Sequence, residues 1–104
     1  MTTVGTTPFD PADYLDDDEA VAAYMSEALA TNDAAFVADA LGVVARARGM
    51  GEVARRAGVS RESLYRSLSA SGNPELATVL RVVQALGLQL SATPRNLAKS
   101  VTVE

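Results

Sequence analysis

The chain contains no cysteine, no histidine and no tryptophan. Without cysteine there is no disulfide, no thiolate nucleophile and no thiolate zinc site, a composition suited to a reducing cytosol. Without histidine there is no Ser-His-Asp triad and no imidazole metal ligand, so an enzyme is not expected. No apolar run approaches the roughly 20 residues that span a bilayer. The start, Met1–Pro8, lacks the basic residues and apolar core of a signal peptide. A cytoplasmic protein with no cofactor, no metal and no membrane association is the expectation. One further absence is local: the first 40 residues hold no lysine or arginine.

That local absence changes the meaning of the net charge. The 104 residues carry nine bases and thirteen acids, a formal charge of −4. Nine acids (Asp10, Asp13, Asp16, Asp17, Asp18, Glu19, Glu27, Asp33 and Asp39) lie in residues 1–40. All nine bases lie in residues 41–104, with only Glu52, Glu62, Glu75 and Glu104 to oppose them. The two parts therefore carry −9 and +5, an asymmetry that suggests one basic and one anionic partner. Asp10, Asp13, Asp16 and Asp18 resemble a calcium loop only superficially, because the glycine and the later glutamate of an EF-hand are missing.

A length near 100 residues supports one small domain with a modest core. Residues 1–15 mix Thr, Gly, Pro and Asp with Phe9, Tyr14 and Leu15, and Pro8 and Pro11 disfavour a helix. They read as an extended acidic arm. A helical domain is expected over 16–92 and a tail over 93–104. Val21, Tyr24, Met25, Ala28 and Leu29 follow the stripe of an amphipathic helix, with Asp16, Asp17, Asp18 and Glu19 at its positive end. Asn32 or Asp33 caps a second helix whose apolar face is Phe36, Val37, Ala40, Leu41 and Val44, stopping at Gly49. Short helices are expected at about 51–57 and 61–69. A last helix, Pro74–Leu86, should open on an Asn73 cap and bury Leu76, Val79, Leu80, Val83 and Leu86. Leu88–Ser91 alternates like a short strand.

The segment MGEVARRAGVSRESLYRSLS, Met50–Ser69, holds the parts of a helix-turn-helix. Ala54 is small enough for two helices to approach, and Gly58 permits a positive φ in the turn. Val53, Ala57, Val59, Leu64 and Leu68 supply the buried contacts. In a DNA complex the second helix enters the major groove. Its outward residues, Ser60, Arg61, Glu62, Tyr65 and Arg66, are then the base-reading candidates. Arginine can pair bidentately with guanine and Glu62 can accept from a cytosine amine. Arg46, Arg48, Arg55 and Arg56 are candidate phosphate contacts, together with the helix-start amide at Gly51. Six of the nine bases lie between Arg46 and Arg66, and DNA attraction depends on that local concentration. The plain alternative is that these arginines form a solvated face.

FDPADYL, followed by ALGVVARARGMGEVARRAGVSRESLYRSLSASGNPELATVLRVVQALGLQLS, closely resembles the HigA-like addiction-module antidotes with a lambda-repressor-type helix-turn-helix. The resemblance runs from about Phe9 to Ser91. It implies an all-α, five-helix domain, preceded by the arm, that acts as the antitoxin of a type II toxin–antitoxin module. It also implies a homodimer that binds operator double-stranded DNA, represses its own operon and neutralises a small basic toxin of the RelE/ParE fold (HigB-type). Ser60, Arg61, Glu62, Tyr65 and Arg66 carry over as recognition-helix positions, whereas no toxin contact carries over.

From the residues themselves, the acidic half suits a basic toxin. Phe9, Tyr14, Leu15, Asp16, Asp17, Asp18 and Glu19 are the toxin-binding candidates. The competing reading has the acids serving only the helix start and the three apolar residues closing over the domain's own core. For a two-fold operator, either Leu88–Ser91 or the last helix would pair with its counterpart. A stand-alone, prophage-type dimeric repressor without a toxin is the alternative function.

Overall fold

A computed structural model describes residues 17–95. The arm residues Phe9, Tyr14, Leu15 and Asp16 lie outside that range, as does the tail beyond Arg95. Five helices follow one another: α1 (Asp18–Ala30), α2 (Ala34–Arg48), α3 (Met50–Ala57), α4 (Arg61–Ser67) and α5 (Leu76–Ala85). The described part is all-helical, as the periodicity predicts.

Short polar side chains set most of the helix starts. The Asp17 carboxylate accepts from the Ala20 amide at 2.7 Å and opens α1. The Asp33 carboxylate accepts from the amides of Ala35 and Phe36 at 3.0 and 3.2 Å and opens α2. Between them Asn32 takes a left-handed φ of 56°, so Asp33 rather than Asn32 is the cap. A cap of this kind is worth about 0.5–2 kcal/mol. The Ser60 hydroxyl accepts from the Ser63 amide at 3.0 Å and opens α4.

The turn between α3 and α4 is held by its backbone. Gly58 sits at φ 75°. Its amide donates to the Arg55 carbonyl at 3.2 Å, and the Val59 amide donates to the Ala54 carbonyl at 3.0 Å. These are the two bonds of a Schellman ending, which needs a left-handed residue where glycine stands. The same pair of bonds, from Gly87 to Gln84 and from Leu88 to Val83, closes α5.

One core joins all five helices: Val21, Met25 and Ala28 from α1, Leu41, Val44 and Ala45 from α2, Val53, Ala54 and Ala57 from α3, Leu64 from α4, and Val82 and Val83 from α5. No polar or charged residue is buried among the described residues. α3 packs on α2, α4 and α5, while α1 packs on α2. Small residues allow close approach at the centre. A Cβ added to Gly42 of α2 would run into the Leu68 backbone carbonyl just after α4.

Four sequence expectations need correction. Leu88–Ser91 forms no strand: no described segment lies alongside to complete a ladder, and half-buried Leu88 packs on the core instead. α5 starts at Leu76 rather than Pro74, since Glu75 stays extended at ψ 154°. Half-buried Pro74 instead faces a cavity beside Leu29, Val37, Leu41 and Val79. α4 stops at Ser67, because Leu68 leaves helical geometry at ψ 63° while its side chain turns into the core. Finally, Phe36, Leu76 and Leu80 are not core residues; they are 51%, 69% and 47% exposed. α5 carries apolar side chains around more of its circumference than one core contact can cover, and Val82, Val83 and Leu86 take the inner side.

Candidate nucleic-acid interface

α4 is a short helix fixed at one edge. Leu64 and, just beyond the helix, Leu68 are completely buried, which sets the rotation of α4 against α2 and α3. Burying a leucine is worth about 1.5–3 kcal/mol, enough to hold so short an element. Ser60, Arg61, Glu62, Tyr65 and Arg66 are all exposed. The five expected base-reading residues are therefore each accessible, spread around the part of α4 that the two leucines leave open.

Three of them are already engaged. The Ser60 oxygen is committed to the helix cap, which leaves its hydroxyl hydrogen for any other contact. The Arg61 guanidinium carbon lies 5.7 Å from the centre of the Tyr65 ring, one turn further along. This cation–π contact restrains a long side chain before any ligand arrives. Arg61 and Arg66 make no ion pair among the described residues.

The candidate phosphate contacts differ from one another. Gly51, the second residue of α3, is exposed with open space where a Cβ would stand. Arg46 is exposed and near Tyr24, whose hydroxyl pKa is raised by burial and by Asp39, with Arg46 opposing. Arg48 donates to the Asp18 carboxylate at 2.9 Å, tying the end of α2 to the start of α1. Its Nε is buried without a partner. Arg48 and Asp18, expected to face opposite partners, therefore face each other. Asp17, as the α1 cap, is also engaged locally.

Arg55 and Arg56 share a single acceptor that sequence reasoning missed. Arg55 grips the Glu52 carboxylate with both Nε, at 3.3 Å, and Nη2. Arg56 Nε donates to the same carboxylate at 2.8 Å. These bonds hold the Glu52 carboxyl below its ordinary pKa. All three side chains are substantially exposed. The signal was present in the sequence, since a glutamate followed by arginines three and four residues later shares one helix face.

The family model described as "Probable addiction module antidote protein" matches residues 5–94. The chain belongs to this antidote family. It is also 43% identical over 90 residues to an uncharacterised protein of Haemophilus influenzae, covering 86% of this chain and 93% of that relative. No solved structure matches it. The antidote family implies an antitoxin role and a toxin partner in general terms. No helix among the described residues is long and apolar enough to cross a membrane.

Proposed function

We propose that the chain is the antitoxin of a type II module, neutralising a RelE/ParE-like, HigB-type toxin and repressing its own operon as a homodimer on operator DNA. In this reading it inhibits an enzyme without being one. The observation that carries the DNA half is the outward face of α4, where Arg61, Tyr65 and Arg66 stand exposed on a helix anchored by buried Leu64. Arg61 and Arg66 are the candidate guanine readers, Glu62 the candidate acceptor for cytosine, and Ser60 and Tyr65 their neighbours. Arg46, Gly51, Arg55 and Arg56 flank this face as phosphate contacts, with Arg48 held back by Asp18.

A two-fold operator requires a paired protein. Leu76 and Leu80, one turn apart on α5 and both exposed, supply an apolar face for that pairing. The toxin half rests on the family and on the acidic first 40 residues, which would steer a basic protein. Exposed Asp18 and Glu19 extend that acidity onto α1, and Phe9, Tyr14 and Leu15 would anchor the arm.

Coexpression with the product of the adjacent gene tests the proposal. A stable complex and relief of growth arrest are expected, provided that gene encodes a small basic protein. A chain lacking Met1–Leu15 should lose neutralisation while keeping operator binding. Full neutralisation by the truncated chain would remove the arm from the contact.

A further inference from the structure

Resting on the DNA-binding reading above, we infer that Glu52 is an internal competitor for phosphate: it clamps Arg55 and Arg56 in the free protein and so lowers the strength and salt dependence of duplex binding. The clamp is local to α3. Glu52 stands three and four residues before the two arginines, so one carboxylate meets both guanidinium groups on the same helix face. Three nitrogens converge on its two oxygens: Arg55 Nε on Oε1, and Arg55 Nη2 and Arg56 Nε on Oε2. The helix surface thus presents a net single positive charge where two arginines would otherwise present two.

A DNA phosphate offers guanidinium the same kind of acceptor as a carboxylate, planar-fork donors meeting paired anionic oxygens. Binding at this edge is therefore an exchange of one oxyanion for another. Because the Glu52 pairs are exposed, water and salt already weaken them, and opening them is easy. What the exchange loses is net gain: each guanidinium gives up a carboxylate oxygen to take a phosphate oxygen, so the arginines add only the difference between the two contacts. Arg61 and Arg66 on α4 have no such acid among the described ion pairs, so the restraint falls on the phosphate contacts and not on the base readers. A device of this kind curbs sequence-independent attraction, which is almost wholly electrostatic.

The test is fluorescence anisotropy of the full chain against two labelled duplexes, one covering the promoter of its own operon and one of scrambled sequence, across a series of KCl concentrations. Glu52→Gln should tighten binding to both duplexes by about threefold to tenfold at low salt. It should also steepen the logarithmic salt slope by up to about one, the contribution of one further phosphate contact. In an Arg55→Gln/Arg56→Gln background the same substitution should change affinity less than about twofold, because the groups it releases are gone. An unchanged affinity and slope in the single variant would overturn the inference while leaving promoter binding by the wild type intact. A gain that persists without the arginines would overturn it too, since Glu52 would then act by direct repulsion. If the wild type binds neither duplex, the DNA-binding reading itself fails and this inference goes with it.

Discussion

α3 and α5 are both short amphipathic helices packed against each other, yet their outer sides have opposite finish. α3 buries Met50, Val53, Ala54 and Ala57 and turns Glu52, Arg55 and Arg56 outward, where one carboxylate holds both arginines and leaves a single net positive charge. α5 buries Val82 and Val83 but turns Leu76 and Leu80 outward, with Arg81 as the charge within its span. The α3 surface, continuous in sequence with the arginines of α4, is suited to water and anions. The α5 surface is suited to another apolar surface. Exposed leucines on α5 and ion-paired charges on α3 give the domain two chemically different surfaces, which the proposed function would use for association and for nucleic acid.

Substitutions at the base of each face break or sharpen this contrast. The largest effect is expected from Leu64→Ala, which removes the buried anchor of α4 and should cost about 2–5 kcal/mol in chemical unfolding. Next come Arg61→Ala and Arg66→Ala, each expected to weaken promoter binding by about 1–3 kcal/mol in gel shifts while leaving the fold unchanged. Unaltered binding in both would remove base reading from α4. The pair Leu76→Ser/Leu80→Ser should shift stability of the monomer by only about 0.5 kcal/mol per site, since both side chains are exposed. It should nonetheless convert a dimer to a monomer in sedimentation velocity. A dimer that survives would move association away from α5.

The smallest effect concerns acid. Glu52 has a folded pKa lowered from its ordinary 4.5, so its contribution is present above that value and is lost as pH falls through the lowered one. Glu52→Gln should remove that part of the pH dependence, with the two proteins converging in thermal melts at the acid end.

Much of this was legible in the sequence because it is local. Asp33 and Ser60 precede periodic apolar runs and do cap α2 and α4. Gly58 between two short runs marks a left-handed turn, and it has that conformation. The outward positions of α4 follow from helical spacing once Leu64 and Leu68 are assigned inward. What was not legible depends on partners distant in the chain. Asp18 and Arg48 meet across 30 positions, so dividing the charge by sequence segment concealed a pair that crosses the division. Leu88–Ser91 alternates like a strand, but alternation cannot supply the neighbour a strand needs. The apolar pattern of α5 is helical whether Leu76 and Leu80 face a core or a second molecule, and packing alone separates the two. The Glu52 clamp is the reverse case, a local spacing that was readable and overlooked beside the arginines it holds.

If the exposed residues of α4 read a DNA sequence, they set the preference of the chain for one duplex over another. Anisotropy titrations of the wild-type chain and of the Arg61→Ala/Arg66→Ala variant, with promoter and scrambled duplexes at one fixed salt concentration, test it most directly. The wild type should bind the promoter duplex at least about a thousandfold more tightly than the scrambled one, in the range of specific readers. The variant should lose most of that ratio while keeping its weaker affinity for scrambled DNA. Equal affinity of the wild type for both duplexes, or an undiminished ratio in the variant, would contradict base reading by α4.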